Sequence, residues 1–183
     1  MHFFDLDGTL IRGNCSFSFG VFLFKKRKIS FFKALVLLTV YIGYKGGLIT
    51  LETLHKLCFT LLFKGEKKEE YEAFAFEFVE GYSKADFNPL FWKVKGLKFI
   101  CSSSPDLLVS FFAKKLQVDG AIGTSYEVDR NGAFLKVAFV VDGKRKALFL
   151  KEKRQRGEKS IAYSDSLEDK LFLEEADEAH FIR

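Results

Sequence analysis

Two acids, Asp5 and Asp7, follow the apolar run His2-Phe3-Phe4 and precede Gly8-Thr9. On a strand over residues 2–6, positions i and i+2 share a face roughly 6–7 Å apart. Both carboxylates then address one site while Leu6 faces elsewhere. Paired carboxylates repel unless a proton or a cation intervenes. Mg²⁺, a hard ion that takes oxygen ligands and keeps several waters, suits two acids at a strand tip. Gly8 permits a tight turn that lets backbone N–H groups face an anion. Thr9 either adds a hydroxyl to that anion or satisfies the turn.

Three further segments come in order: Lys98-Phe99-Ile100-Cys101-Ser102-Ser103-Ser104-Pro105, Asp142-Gly143-Lys144-Arg145-Lys146-Ala147-Leu148, and Ser164-Asp165-Ser166-Leu167-Glu168-Asp169. With Phe3 to Leu10 they resemble the four motifs of the haloacid dehalogenase (HAD) superfamily of phosphohydrolases. Those motifs are DxDGT, a strand ending in a phosphate-binding Ser or Thr, a lysine, and GDxxxD. The SSSP form, Gly123-Thr124 and the stretch after the first motif resemble the branch containing phosphoserine phosphatases. The resemblance covers nearly the whole chain. It implies an α/β fold, a Rossmann-like parallel sheet core with a small helical cap inserted after the first strand. It also implies a Mg²⁺-dependent phosphomonoester hydrolase (phosphatase) working through an aspartyl-phosphate.

Carried over residue by residue, the resemblance makes Asp5 the nucleophile and Asp7 the general acid and then base. Gly8, Thr9, Ser102 and Ser103 become phosphate ligands, with Ser102 preferred for its place at the strand tip. Ser104 before Pro105 reads as an N-cap and first helical residue, opening a helix over 105–116 whose positive end favours phosphate. Lys144 supplies the fixed cation, with Lys146 as its rival; Leu148, four residues after Lys144, meets the family spacing. Asp165 completes a metal shell with Asp5 and the Asp7 carbonyl. Asp169 orients a metal-bound water or pairs with the lysine. Ser164 stands where the family has glycine.

These residues need a scaffold. Strand and helix signals alternate, which argues for a parallel sheet, with strands near 2–6, 97–102, 119–123, 159–164 and 178–182. Asn131-Gly132 marks a hairpin over 127–136, and 144–155 reads as a helix. Residues 1–12 and 85–183 form the core and 13–84 the cap. The cap holds helical stretches at 16–26, 31–44, 48–63 and 66–82, the last with Tyr71, Phe74, Phe78 and Tyr82 at helical spacing.

At 183 residues and 48% hydrophobic content the chain is a folded domain with room for a modest insertion. Its net charge of +5 favours phosphorylated ligands. Cys15, Cys58 and Cys101 cannot all pair, and a strand beginning at residue 2 leaves no room for a signal peptide, so a reducing cytoplasm is expected. Residues 31–44 fall short of the roughly 20 needed to span a bilayer. The basic run through Arg156 reads as a solvated helix face, with no nucleic-acid partner. His2, His55 and His180 show no metal-ligand spacing.

The substrate is less defined than the chemistry. Phosphoserine-cleaving relatives carry a Glu where Asn14 stands and a cap Arg, yet no Arg lies between Lys28 and Asp129. A small phosphorylated metabolite other than phosphoserine is expected. Phe17, Phe19, Phe22, Phe24, Phe31 and Phe32 lie beside Lys25-Lys26-Arg27-Lys28. They pack inside the cap or, if exposed, suit a lysophospholipid-type phosphate at an anionic membrane surface. A phosphotransferase and a non-catalytic phospholigand-binding module are the remaining alternatives; oligomeric state is open.

Overall fold

The structure, a computed structural model, describes residues 1–154 and 157–182. Six strands form one sheet: β1 (His2–Phe4), β2 (Lys98–Pro105), β3 (Gly120–Val128), β4 (Phe134–Phe139), β5 (Ile161–Ser164) and β6 (Glu178–Phe181). Their order is β4-β3-β2-β1-β5-β6, parallel throughout except for the β3–β4 hairpin. The mixed α/β architecture expected from the alternation is therefore present.

A strand buried on both faces reads as a continuous apolar run, and β1 is one. Phe3 stacks on Phe99 at 4.7 Å on one face. Phe4 stacks on Tyr163 at 4.4 Å on the other. The Phe3 side holds Phe149, Leu150 and Phe172, and the Phe4 side holds Ile100, Leu108 and Phe112. Strand β1 stops at Phe4, earlier than expected, although the Asp5 amide still donates to the Tyr163 carbonyl at 2.9 Å. Asp5 thus leaves the last rung of the central strand, and Asp7 stands in the loop beyond it.

Between β1 and β2 lie α1 (Cys15–Lys25), α2 (Phe31–Lys45), α3 (Leu51–Leu62), α4 (Lys68–Glu80) and the short α5 (Pro89–Lys93). Asn14, Ser30 and Thr50 each cap the helix that follows, their side chains accepting the amide three residues on. The inserted stretch leaves and returns through adjacent segments: Ile11 and Phe87 form an antiparallel bridge, and the Asn88 amide donates to Leu10. Helix α4 also packs on α6 (Asp106–Leu116), through Phe76 against Phe111.

Helix α6 begins one residue later than expected, at Asp106, with Pro105 at its N-cap. The Ser104 hydroxyl does not cap it because it donates to the Asp7 carboxylate at 2.6 Å, and a charged acceptor binds more strongly than a neutral one. Helices α7 (Gly143–Lys153) and α8 (Lys170–Glu175) cover the Phe3 face. The helix expected over 144–155 ends in α7 at Lys153; Gln155 and Arg156 lie outside the described residues. Among the described residues no helix is long and apolar enough to cross a membrane.

Candidate active site

The strand ends of β1, β2 and β5 converge on one cavity of about 840 Å³, with Asp5, Asp7, Gly8, Ser103, Ser104, Lys146, Asp165 and Asp169 among its lining residues. Asp5 is buried and its Oδ1 accepts the Lys146 ammonium at 2.6 Å. Lys146 donates at 2.7 Å to Asp169 Oδ2, which also accepts the Ser164 hydroxyl at 2.6 Å. Two acids therefore hold one cation, and a serine fixes the second acid.

Lys146, not Lys144, is the lysine of the site. The buried face of α7 is Gly143, Lys146, Phe149 and Leu150, one stripe at helical spacing. Lys144 and Leu148 share the opposite, exposed face. Phe149 and Leu150 anchor that stripe, which was legible in the sequence; the four-residue spacing to Leu148 was the weaker guide. Gly143 tightens the fit, because a Cβ there would sit 2.4 Å from the Glu168 carbonyl.

Asp7 also lines the cavity, but its carboxylate is already engaged. Oδ1 accepts the Cys15 amide and Oδ2 the Ser104 hydroxyl, both at 2.6 Å. Helix α1 has no acid in its first turn, and Asp7 supplies the negative charge its N-terminus favours. Ser104, singled out by sequence only as a cap, instead joins Asp7 to Ser16 across the cavity.

Three expected phosphate ligands are occupied otherwise. Ser102 is fully buried and its Oγ accepts the Ser104 amide at 3.1 Å, so it supports the loop from behind. Ser103, half-buried, reaches the cavity wall. Thr9 is buried and bound to Asp165: its hydroxyl donates to Oδ1 at 3.2 Å and accepts the Asp165 amide at 3.0 Å. It is a tether for the acid loop. The Gly8 amide donates to the Gly13 carbonyl at 2.9 Å and is not aimed at an anion. Glycine is needed there for two other reasons: φ is +76°, and an added Cβ would meet Asp165 Oδ2 at 2.0 Å. The two acid-bearing loops touch at this point.

Burial pushes the Asp5 carboxyl up to about 7; Lys146 pulls it down, while Asp169 and Asp7 add to the rise. At Lys146 burial favours the neutral amine, but Asp5 and Asp169 hold it above its ordinary value as an ammonium. Asp5 and Asp169 share Lys146, and Asp7 and Asp165 line the same cavity, so four acids meet one buried lysine there, an imbalance that a divalent cation would relieve. Among the described residues no three His, Cys, Asp or Glu side chains converge into a ready cage. Asp169 pairs with a lysine, one of the two roles expected of it, though the lysine is Lys146; the Asp7 carboxylate is held by Cys15 and Ser104, which leaves its backbone carbonyl as the metal donor expected from that residue. The carboxylates of Asp5 and Asp165 remain. That donor set fits Mg²⁺, which is often bound by one or two carboxylates and keeps waters.

The cavity continues upward between α1, α2 and α3, past Phe17, Phe24, Leu37, Leu54 and Leu62. At its rim the Tyr44 hydroxyl of α2 donates to Glu168 at 2.7 Å, joining the inserted helices to the acid loop. His55, which sequence reading assigned no chemistry, is buried in the wall, and burial lowers it to about 4. Cys15 and Cys101 are buried, Cys58 is half-buried, and all three are free thiols.

This arrangement has counterparts. A family model described as haloacid dehalogenase-like hydrolase matches residues 2–174, and the chain belongs to that family. No curated protein matches it by sequence. Among solved structures, a protein of unknown function from Bordetella pertussis Tohama I superimposes with a TM-score of 0.81 at 19% identity, covering 98% of this chain and 87% of that one. A probable phosphoserine phosphatase from Vibrio cholerae gives 0.69 at 16% identity; the match covers 97% of this chain and 55% of that one. A substrate-bound phosphoserine phosphatase gives 0.65 at 14%, covering 97% and 83%. At these identities the likeness is one of fold. The chain is a hydrolase with the fold of phosphoserine phosphatases.

Proposed function

We propose that the protein is a Mg²⁺-dependent phosphomonoester hydrolase (phosphatase) that works through an aspartyl-phosphate on Asp5. The observation that carries this reading is the buried Asp5–Lys146–Asp169 triad at the cavity floor. Among the described residues Asp5 Oδ2 accepts no hydrogen bond, so one oxygen is held while the other is free to attack. Attack forms the Oδ2–phosphorus bond as the ester P–O bond breaks. With the Ser104 hydroxyl turned from Asp7 to Ser16, Asp7 Oδ2 is the oxygen that gives a proton to the departing alkoxide and then takes one from the water that cleaves the acyl phosphate. Lys146 offsets charge on Asp5 and on the phosphoryl oxygens from a desolvated position, where such charge acts most strongly. Ser103 is the available hydroxyl for those oxygens. Asp5, Asp165 and the Asp7 carbonyl would hold Mg²⁺, which supplies further neutralisation of the phosphoryl charge.

The inserted stretch, residues 13–84, serves as a cap over residues 1–12 and 85–183, with its hinge at the Ile11–Phe87 bridge. Closure by Tyr44 and Glu168 excludes water from the first step. Phosphoserine is a poor fit. Asn14 spends its carbonyl on capping α1, accepting Phe17 N at 2.8 Å, and no arginine lines the cavity among the described residues. Three free thiols accord with a reducing, cytoplasmic setting.

A panel of phosphate monoesters assayed with Mg²⁺, and again after chelation, tests the reading. Release of inorganic phosphate that stops on chelation and returns with Mg²⁺ is expected. Release indifferent to chelation overturns the metal requirement, and none from any ester overturns the phosphatase.

A further inference from the structure

Helix α2 is apolar around most of its circumference, yet none of its residues is buried. Apolar helices of that kind are ordinarily enclosed, so two faces need an explanation. Ala34, Leu37, Leu38 and Tyr41 line the cavity above Asp5. The outer face carries Phe31 at 65%, Phe32 at 78% and Ile42 at 60% exposure, with Leu35 and Val36 between them. Both faces are apolar, and they belong to one helix.

The inner face bounds a space lined mainly by apolar side chains. Opposite α2 stand Phe17, Val21 and Phe24 of α1 and Leu54, His55 and Leu62 of α3. His55 is neutral there, because burial disfavours its charged form. Away from the acids at the bottom, Lys45 and Glu168 are the charged side chains on the wall, and Glu168 is bound to Tyr44. A small polar alcohol would find few partners in such a space, whereas a hydrocarbon chain would be desolvated along its length. Sequence reading left the phenylalanines between packing and exposure, and the structure divides them. Phe19 is buried, Phe17 and Phe24 face the cavity, and Phe31 and Phe32 face outward.

The outer face has a matching border. Lys25, Arg27 and Lys33 are exposed and make no ion pair among the described residues, while Lys26 and Lys28 are paired with Glu77, Glu66 and Glu70. Exposed aromatic and aliphatic side chains flanked by free cations complement an anionic bilayer surface. A bilayer is also where a phosphate ester with a long chain resides.

We infer that the substrate is an amphiphilic phosphomonoester taken from an anionic bilayer, its phosphate at Asp5, its hydrocarbon chain in the cavity beneath α2, and the outer face of α2 resting on the membrane. The inference rests on the phosphatase reading for the phosphate end alone. The chain end and the membrane face stand on the cavity and on α2.

Two measurements on the whole 183-residue chain test it without requiring turnover. First, titration calorimetry with non-hydrolysable alkyl phosphonates from methyl to dodecyl is expected to show affinity rising about three- to fourfold per methylene until the cavity is filled. Ala34→Trp, which narrows the cavity, is expected to flatten the series at its long end. A flat series in the parent protein overturns the chain site, whatever its activity. Second, Asp5→Asn protein is expected to pellet with phosphatidylcholine vesicles containing phosphatidylserine and not with phosphatidylcholine alone, less so at high salt. The exposed pair Phe31→Ser and Phe32→Ser is expected to reduce pelleting at least about tenfold. Equal or absent pelleting with both vesicles overturns the membrane face. A rising phosphonate series in a protein that hydrolyses no ester overturns the phosphatase reading and leaves the chain site standing.

Discussion

The floor and the roof of the cavity are built by opposite means. On the floor each of the four acids and the lysine is held by a neighbour: Asp5 by Lys146, Lys146 by Asp169, Asp169 by Ser164, Asp165 by Thr9, Asp7 by the Ser104 hydroxyl and the Cys15 amide. The roof helix α2 buries none of its residues, and among the described residues its side-chain hydrogen bond to the floor is that from Tyr44 to Glu168. Buried polar groups in a low-dielectric site are costly unless satisfied, so they are fixed in place. Apolar contacts lack direction and allow a surface to shift and reseal. Reaction geometry needs the first property, and admission of a substrate needs the second.

The largest effect expected from breaking the floor is on turnover. Asp5→Asn removes the attacking oxygen anion and is expected to lower kcat by at least about 10³-fold, read from phosphate release, while circular dichroism stays that of the parent.

The paired variants Lys146→Met and Lys144→Met separate the buried lysine from the exposed one. Without Lys146, Asp5 and Asp169 lose their shared cation in a buried site. A loss of about 3–5 kcal/mol in denaturant unfolding is expected, together with a fall in kcat of about 10²-fold or more. Lys144→Met is expected to stay within about 0.5 kcal/mol, as for other exposed positions, and near parent activity. Equal effects of the two would mean that α7 is rotated from the orientation described.

Thr9→Val keeps the shape of the side chain and removes both hydrogen bonds to Asp165. The Mg²⁺ concentration for half-maximal activity is expected to rise about 10-fold or more, since partners behind a metal ligand typically carry that much affinity.

Acid is expected to loosen the roof through His55. Its folded-state value, about 4, lies below the ordinary 6.5. Between these values the unfolded chain binds the extra proton and the folded chain does not. The contribution of the neutral, buried ring is therefore full above pH 6.5 and is lost as pH falls toward 4, by up to about 3 kcal/mol. His55→Leu is expected to abolish that part of the slope in urea unfolding measured across the window.

Much of this floor could be read in the chain itself. The two aspartates after an apolar run, the serines ending the second run, and Ser164-Asp165 after the third name three strand ends, and those ends do meet. The roof was legible as four helical stretches, because helical spacing is a local feature. The choice between Lys144 and Lys146 depended on which stripe of α7 faces Phe172 and Ala162, a contact made with residues far along the chain. Thr9, Ser102 and Ser104 have the right chemistry for phosphate, but their partners at Asp165, Ser104 and Asp7 are set by how the loops pack. The order of helices and parallel strands, and the identity of the acids, follow from local periodicity and residue type. The rotation of a helix by one face, the direction of a hydroxyl and the division of the phenylalanines among core, cavity and outer surface were decided by the tertiary structure. Those choices differ by one hydrogen bond or one buried ring, and only the assembled neighbours fix which alternative lies lower in free energy.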